Sequence, residues 1–276
     1  MAAVTDARPG IATYDHRGAG VEELLGAKAG RRVAVCLPAH NEERTLGAIV
    51  ETTSLELVAP GLVDELVVVD DGSTDATAQV AARAGARVVA SAAPGTPVGP
   101  FGGGPRGKGA ALARALEATT AELVVFLDAD VENFGPHFVT GLLRPLLEDP
   151  RVVLVKGRYE RPLDGAPTGG GRVTELVARP ALSLLFPELA VLAQPLAGET
   201  ALRRSGVEGF ELSPGYGVEI GLLIDVARRH GLGAIAEVDL GVRVHRNRSL
   251  AELGPEARDV LAAVLARAGV PTVAGP

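Results

Sequence analysis

Three acidic clusters carry the first chemical signal in this sequence: Asn41-Glu42-Glu43, Asp70-Asp71 and Asp128-Ala129-Asp130. Carboxylates gathered in one place repel each other, and a divalent cation is the simplest agent that holds them together. Asp128 and Asp130 are two residues apart, so an extended backbone points both to one side. Hard carboxylate oxygens suit Mg2+ or Mn2+, ions that also bind phosphate oxygens. The plainer reading is that each Asp caps the next helix or turns the chain. Three clusters at successive strand ends favour the cation, because the carboxyl ends of an open parallel sheet form its ligand crevice.

Two glycine-rich segments offer anion chemistry. Gly102, Gly104 and Gly107 fit a G-x-G-x-x-G dinucleotide pattern, and Gly102, Gly107 and Lys108 come close to a phosphate-binding P-loop. Both patterns require a strand just before the loop, and residues 92–100 are too rich in proline and glycine to form one. Position 109 is Gly where a P-loop needs Ser or Thr, so both assignments are rejected. What survives is Arg106 and Lys108 at a helix N-terminus able to meet an anion; the alternative is a solvated loop. Gly169-Gly170-Gly171-Arg172-Val173-Thr174 opens a second helix with donors at its positive end, or is a plain linker with an ordinary cap.

Of five histidines, His245 stands apart, just after a probable strand in Val242-Arg243-Val244-His245-Arg246-Asn247-Arg248. There it can complete an Asp/His metal site as neutral imidazole, although a lone histidine is more often structural. His137 and His230 read as helix-surface residues. Tyr216 and Glu219 lie three apart and share a face once their segment turns helical. Glu219 also suits the first turn of any helix.

The elements that position these groups follow from hydrophobic patterning. Residues 33–37, 65–69, 87–90, 122–127 and 152–156 are compact apolar runs expected to be strands, with helices expected at 41–53, 74–84, 107–119 and near 136–147. That alternation predicts an α/β fold with a mostly parallel sheet flanked by helices. The second half is less regular, with helices expected from 173, at 218–230 and at 250–268, and a late strand at 240–244. Residues 1–30 read as a loosely ordered arm with one short helix at 21–27. The expected organisation is this arm, a first part at 31–160 and a second part with the C-terminal helix at 161–276, packed as one unit.

Composition bounds the rest. A chain of 276 residues with 47% hydrophobic content buries a core without staples. A net charge of -7 argues against nucleic acid as a partner. The single cysteine, Cys36, excludes an internal disulfide and points to a reducing, cytoplasmic setting. The N-terminus lacks the apolar core of a signal peptide, and Pro187, Glu188, Gln194 and Pro195 interrupt the most apolar window, so no membrane association is expected. Arginine far outnumbers lysine, which occurs only at Lys28, Lys108 and Lys156. Codon bias alone can produce that ratio, so it is given no functional weight.

With these segments in hand, the chain resembles the nucleotide-diphospho-sugar transferases of the GT-A (Rossmann-like) fold. The likeness starts at Leu37-Pro38-Ala39-His40-Asn41-Glu42-Glu43 and runs through Asp70-Asp71-Gly72-Ser73-Thr74-Asp75 to the Asp-x-Asp at 128–130. More specific are Gly171-Arg172-Val173-Thr174-Glu175-Leu176, Pro214-Gly215-Tyr216-Gly217-Val218-Glu219 and residues 241–247, which are together similar to the actinobacterial glucosyl-3-phosphoglycerate synthases. That family moves glucose, with retention, from UDP-glucose to the 2-hydroxyl of 3-phosphoglycerate and uses a divalent metal. The resemblance implies that Pro38, Ala39, Glu42, Asp71 and Gly72 hold the uridine end, with Lys108 beside the diphosphate and sugar. It makes Asp130 and His245 the metal ligands, with Asp128 and Ala129 at the donor. It gives Gly171, Arg172, Val173, Thr174 and Asn247 to the acceptor, and Tyr216 and Glu219 to the sugar pocket. Glu219, Lys108 and Asp130 become the catalytic candidates, and a homodimer is implied. The chain departs from the family pattern at His40, Asp71 and Ala129, positions that bear on the base, the ribose and the Asp-x-Asp.

Retention is then expected through attack on the face from which the diphosphate leaves, a phosphate oxygen taking the proton. The competing readings are a mannosyl-3-phosphoglycerate synthase using GDP-mannose, or an enzyme accepting both donors. Others are an inverting polyprenyl-phosphate glycosyltransferase, a nucleotide-sugar-binding regulator without chemistry, and a P-loop NTPase. The second anion loop argues against the regulator, and Gly109 against the NTPase.

Overall fold

The computed structural model describes residues 10–18, 20–91, 99–104, 106–163, 166–169, 171–245 and 250–271. Its centre is an eight-stranded sheet in the order β1-β10-β6-β9-β5-β2-β3-β4. In chain order these are β1 (Ala12–Asp15), β2 (Val33–Ala39), β3 (Glu65–Asp70), β4 (Arg87–Ala90), β5 (Leu123–Phe126), β6 (Leu154–Glu160), β9 (Thr200–Arg203) and β10 (Ile235–Val242). A small separate hairpin, β7 (Pro162–Leu163) with β8 (Ala166–Gly169), follows β6. Every neighbouring pair in the large sheet is parallel except those of β9, which runs antiparallel between β5 and β6.

Alternation along the central strands divides the core. Ala34 and Cys36 of β2 face one apolar cluster, while Val33, Val35 and Leu37 face the other. The first cluster takes in side chains of α4 (Lys108–Ala118), α6 (Arg179–Leu185), α8 (Val218–His230) and α9 (Leu250–Arg267). The second takes in α1 (Val21–Lys28), α2 (Leu46–Thr53), α3 (Thr77–Arg83) and α5 (His137–Glu148). A strand buried on both faces must be apolar throughout, which is why β2, β3 and β5 were legible as continuous runs. Among the described residues no helix is long and apolar enough to cross a membrane.

Four expectations need correction. The N-terminal segment contributes β1, an edge strand parallel to β10, so residues 12–15 are not a loose arm. The late strand is Ile235–Val242 rather than 240–244, and β6 starts at Leu154 and extends to Glu160. The helix expected from 173 begins as a wide π turn at Thr174–Ala178 before continuing as α6. Finally, β9 was not foreseen: Thr200-Ala201-Leu202-Arg203, between a glycine-containing turn and α7 (Arg204–Val207), lacks the contiguous β-branched run that marks the equally short β4 and β5.

Candidate active site

The parallel strands deliver their carboxyl ends to one edge of the sheet, and a cavity of about 670 Å3 opens there. Most of the expected site residues line it: Pro38, Ala39, Glu42, Asp71, Lys108, Asp128, Ala129, Asp130, Gly171, Arg172, Val173, Thr174, Tyr216, Glu219 and His245. Gly72 is exposed and is not among the lining residues. Asn247 lies outside the described residues.

The three acidic clusters do not converge on one cation. After β2 the chain turns at Asn41, whose φ is +57°, and is laced to the loop after β3. Thr74 N donates to Asn41 Oδ1 at 2.8 Å, Glu42 N to Thr77 Oγ1 at 2.8 Å and Ala76 N to Glu43 Oε2 at 2.8 Å. Asp70 accepts from Ser73 N at 3.2 Å. Glu43 and Asp70 therefore do the ordinary turn-capping work of such residues, and Glu42 and Asp71 are what reach the cavity. Asp71 joins two loops: Oδ1 accepts from Ser91 Oγ at 2.5 Å and Oδ2 from Gly107 N at 3.0 Å, at the start of α4. Among the described residues no three His, Cys, Asp or Glu side chains are grouped to hold a metal by themselves.

Lys108 opens α4 and sits at the heart of a chain of ion pairs. Its Nζ lies 2.6 Å from Asp128 Oδ1 and 2.6 Å from Glu219 Oε1. Burial opposes its charge, yet the two carboxylates overcome that and hold the ammonium well above its usual pKa. The other oxygen of Asp128 accepts from Arg243 Nη2 at 2.9 Å, and the same nitrogen reaches Asp130 Oδ1 at 2.7 Å. Arg243 Nε donates to Glu199 Oε1 at 2.8 Å. Burial raises the Asp128 carboxyl, but Lys108 and Arg243 outweigh it and keep the group well below the usual carboxylate range. Beneath this chain Lys156, 1% exposed, donates to Ala197 O at 2.6 Å and Thr200 Oγ1 at 3.1 Å; burial lowers its pKa to about 8.

His245 is brought to the Asp-x-Asp by local pairing. Val131 and His245 form an antiparallel bridge, Glu132 N donates to Val244 O at 2.9 Å, and Val244 N donates to Asn133 Oδ1 at 2.8 Å. Burial, then the charges of Arg243 and Arg161, lower its pKa to about 4, so at neutral pH the imidazole is uncharged with a lone pair to give. One carboxylate and one neutral imidazole suit a hard divalent cation that takes its remaining ligands from phosphate and water. The donor set fits Mg2+ or Mn2+.

Across the cavity, Gly171 has φ +79° and begins the helical turn that carries Arg172, Val173 and Thr174; Glu175 N closes it on Gly171 O at 3.1 Å. A side chain at Gly171 would be strained there. Leu253 and Val260 of α9 also line the cavity, and Tyr216 is tied to that helix by Tyr216 N donating to Asp259 Oδ2 at 3.2 Å. Sequence reasoning missed Arg161, Lys156, Glu199 and Arg243. Arg161 and Arg243 each follow the end of a strand, the position rule that found Asp71 and Asp128, and it was not applied to basic residues.

Three comparisons agree with this geometry. Residues 34–178 match glycosyl transferase family 2. The glucosyl-3-phosphoglycerate synthase of Mycobacterium tuberculosis is 50% identical over 268 residues, covering 94% of this chain and 80% of that protein. A crystal structure of the M. tuberculosis enzyme with Mn2+, UDP-glucose and phosphoglyceric acid superposes with a TM-score of 0.86 at 49% identity, covering 96% of this chain and 90% of that one. Another, with Mg2+ and UDP, gives 0.84 at 49% identity, covering 94% and 87%. The mostly parallel sheet is the GT-A fold of these enzymes. The chain belongs to glycosyl transferase family 2 and, within it, to the glucosyl-3-phosphoglycerate synthases.

Proposed function

We propose that this protein transfers glucose from UDP-glucose to the 2-hydroxyl of 3-phosphoglycerate with retention, using Mg2+ or Mn2+. One observation carries the reading: a single cavity joins the Glu219–Lys108–Asp128–Arg243 ionic chain to the glycine-opened turn at 171–174. The relative of known ligands, half identical over nearly the whole chain, binds UDP-glucose and phosphoglyceric acid. That likeness favours glucose and UDP over the GDP-mannose alternative.

Pro38, Ala39, Glu42 and Asp71 take the uridine end, at the edge formed by β2 and β3. A divalent cation, when bound, supplies Lewis-acid stabilisation to the departing diphosphate; Asp130 and the neutral His245 are the residues that hold it. Lys108 stays charged and steadies the donor by electrostatics, and it keeps its protons at neutral pH. Glu219 and Asp128 are both tied to Lys108, and Asp128 is also tied to Arg243, so neither is a free nucleophile or a free base. That arrangement favours same-face attack, with a donor phosphate oxygen taking the proton from the acceptor hydroxyl. Glu219 and Tyr216 shape the sugar pocket. Arg172, Val173 and Thr174, with Asn247, orient the acceptor's phosphate and carboxylate, and positioning supplies much of the rate. On this reading residues 31–160 form the nucleotide-sugar-binding part and 161–276 the acceptor-binding part, which also lends Tyr216, Glu219 and His245 to the donor, in a cytoplasmic homodimer.

The test is nucleoside-diphosphate release with Mg2+, pairing UDP-glucose, GDP-glucose and GDP-mannose each with 3-phosphoglycerate. Acceptor-dependent release with UDP-glucose is expected. Preference for GDP-mannose would move the donor alone, and silence from every donor would remove the acceptor assignment.

A further inference from the structure

Arg161 is a cation of the cavity wall that has no carboxylate partner among the described residues. It follows β6 at the carboxyl edge of the sheet. Its Nη2 donates to the Tyr159 hydroxyl at 2.7 Å, and its guanidinium carbon lies 4.9 Å from the centre of the Tyr159 ring. Arg243 lies 5.6 Å from the centre of the same ring, so two like charges share one phenol. Their fates differ. Arg243 is matched by Glu199, Asp128 and Asp130, whereas Arg161 Nε is shielded from water without a hydrogen-bond partner.

Buried charges are normally paired, because a lone ion gives up its hydration with nothing in return. Guanidinium cannot escape by losing its proton. A fixed guanidinium with an unsatisfied donor, in the wall of a ligand cavity, is completed by an anionic oxygen of the ligand. Topology says which ligand. The uridine-end residues come from β2 and β3, while β6 lies beyond both β5 and β9, and its chain continues through the β7–β8 hairpin into Gly171 and Arg172. Arg161 therefore stands away from the uridine end, beside the end of β10 that leads to Arg243 and His245, and on the chain segment that leads on to the 171–174 turn.

We propose that Arg161 binds an anionic oxygen of the acceptor, on its carboxylate or its phosphate, in addition to the 171–174 turn. This rests on the acceptor assignment made above. The Tyr159 ring and hydroxyl hold the guanidinium in place for that contact.

The experiment compares Arg161→Met and Arg161→Lys with the wild type in steady-state UDP release, using 3-phosphoglycerate and glycerol 3-phosphate, which lacks the carboxylate. Loss of one charge-assisted hydrogen bond corresponds to about 10- to 100-fold. Arg161→Met is expected to raise the acceptor KM by that much while the UDP-glucose KM stays within about twofold. Arg161→Lys, which keeps the charge and loses the planar fork, should fall between and serves if the methionine variant does not fold. A rise confined to 3-phosphoglycerate assigns the contact to the carboxylate; a rise for both acceptors assigns it to the phosphate. An unchanged acceptor KM, a fall in kcat alone, or a rise in the UDP-glucose KM instead would overturn the proposal. Silence of the wild type with every acceptor would refute the functional reading itself and this inference with it.

Discussion

Replacing Lys108 with methionine removes the cation that two carboxylates share. Asp128 Oδ1 and Glu219 Oε1 each lie 2.6 Å from its Nζ, so they are no further apart than about 5 Å. Methionine fills much of the lysine stem's volume, so the change is mainly electrostatic. At an effective dielectric of about 20, two like charges about 5 Å apart repel by about 3 kcal/mol. At about 2–4 °C per kcal/mol for a chain of this size, Tm should fall by roughly 6–12 °C at pH 7. The pair relieves itself by binding a proton, so it titrates above the usual carboxylate range. The native variant then holds more protons than its unfolded chain from that raised pKa down to about pH 4.3, and its stability rises as pH falls through that window. Wild type has no such gain from Asp128, which is held far below that range. Thermal melts of both proteins at pH 5, 6, 7 and 8 measure this, alongside UDP release with 3-phosphoglycerate, in which kcat should drop about 10²- to 10³-fold. The deficit in Tm must narrow toward pH 5. A deficit that is absent at pH 7, or that widens on acidification, refutes the shared-cation account.

Three further outcomes follow from the same geometry. The Lys156 ammonium is held at about 8 against 10.5 in a model chain, so the unfolded state binds more protons between those values and wild-type stability rises with pH there. Lys156→Met should remove that slope and raise Tm at pH 7, by up to about 3 kcal/mol of stability; a slope that persists, or a lower Tm, contradicts the assignment. Gly198 packs against the Asp128 carboxylate so closely that an added Cβ would overlap it, and Gly198→Ala should cut kcat by about 100-fold with a Tm loss of a few degrees. Normal turnover in that variant would show that Asp128 need not stay where it is. Asp130→Ala should abolish most turnover, about 100-fold or more, while Arg243 keeps Asp128 and Glu199 and the Tm holds. Mn2+ binding followed by electron paramagnetic resonance should weaken in parallel, and unchanged binding would remove Asp130 from the metal site.

The elements that sequence patterning finds are those that carry a local apolar run or a sustained helical period, even where, as at β4, the strand is a partly exposed edge. Residues 87–90 were expected as a strand and are β4, and 218–230 were expected as a helix and are α8. By contrast Ala12-Thr13-Tyr14-Asp15 of β1 and Thr200-Ala201-Leu202-Arg203 of β9 contain no apolar run, and β1 is recognised only by its pairing with β10, more than two hundred residues away. No local window contains that information. The site divides the same way. Asp128, Asp130 and Glu219 stand in motifs that carry the resemblance, which also gives Lys108 its role. Glu199 sits in an undistinguished turn, and its importance is created only when β9 runs between β5 and β6 and carries it under Arg243.

One signal was present and set aside. This chain has only three lysines, and all three are drawn inward: Lys28 is paired with Asp64 at 2.7 Å, Lys108 bridges two carboxylates, and Lys156 is 1% exposed. Codon bias explains why surface cations are arginine, but it does not explain where lysine persists. An ammonium is a compact point charge with three rotatable donors, and it fits between two carboxylates or beneath a carbonyl where a planar fork of five donors does not. In an arginine-biased sequence, then, a lysine marks a place where geometry has overruled composition. The resemblance gives Lys108 a role and is silent on Lys156, and the same argument reaches both. It implies that Lys156→Arg should be worse tolerated than Lys156→Met, since arginine brings a larger, non-titrating charge into a space closed by Ala197 O and Thr200 Oγ1. Equal or greater stability of the arginine variant by thermal melt would show that rarity of lysine here carries no structural meaning.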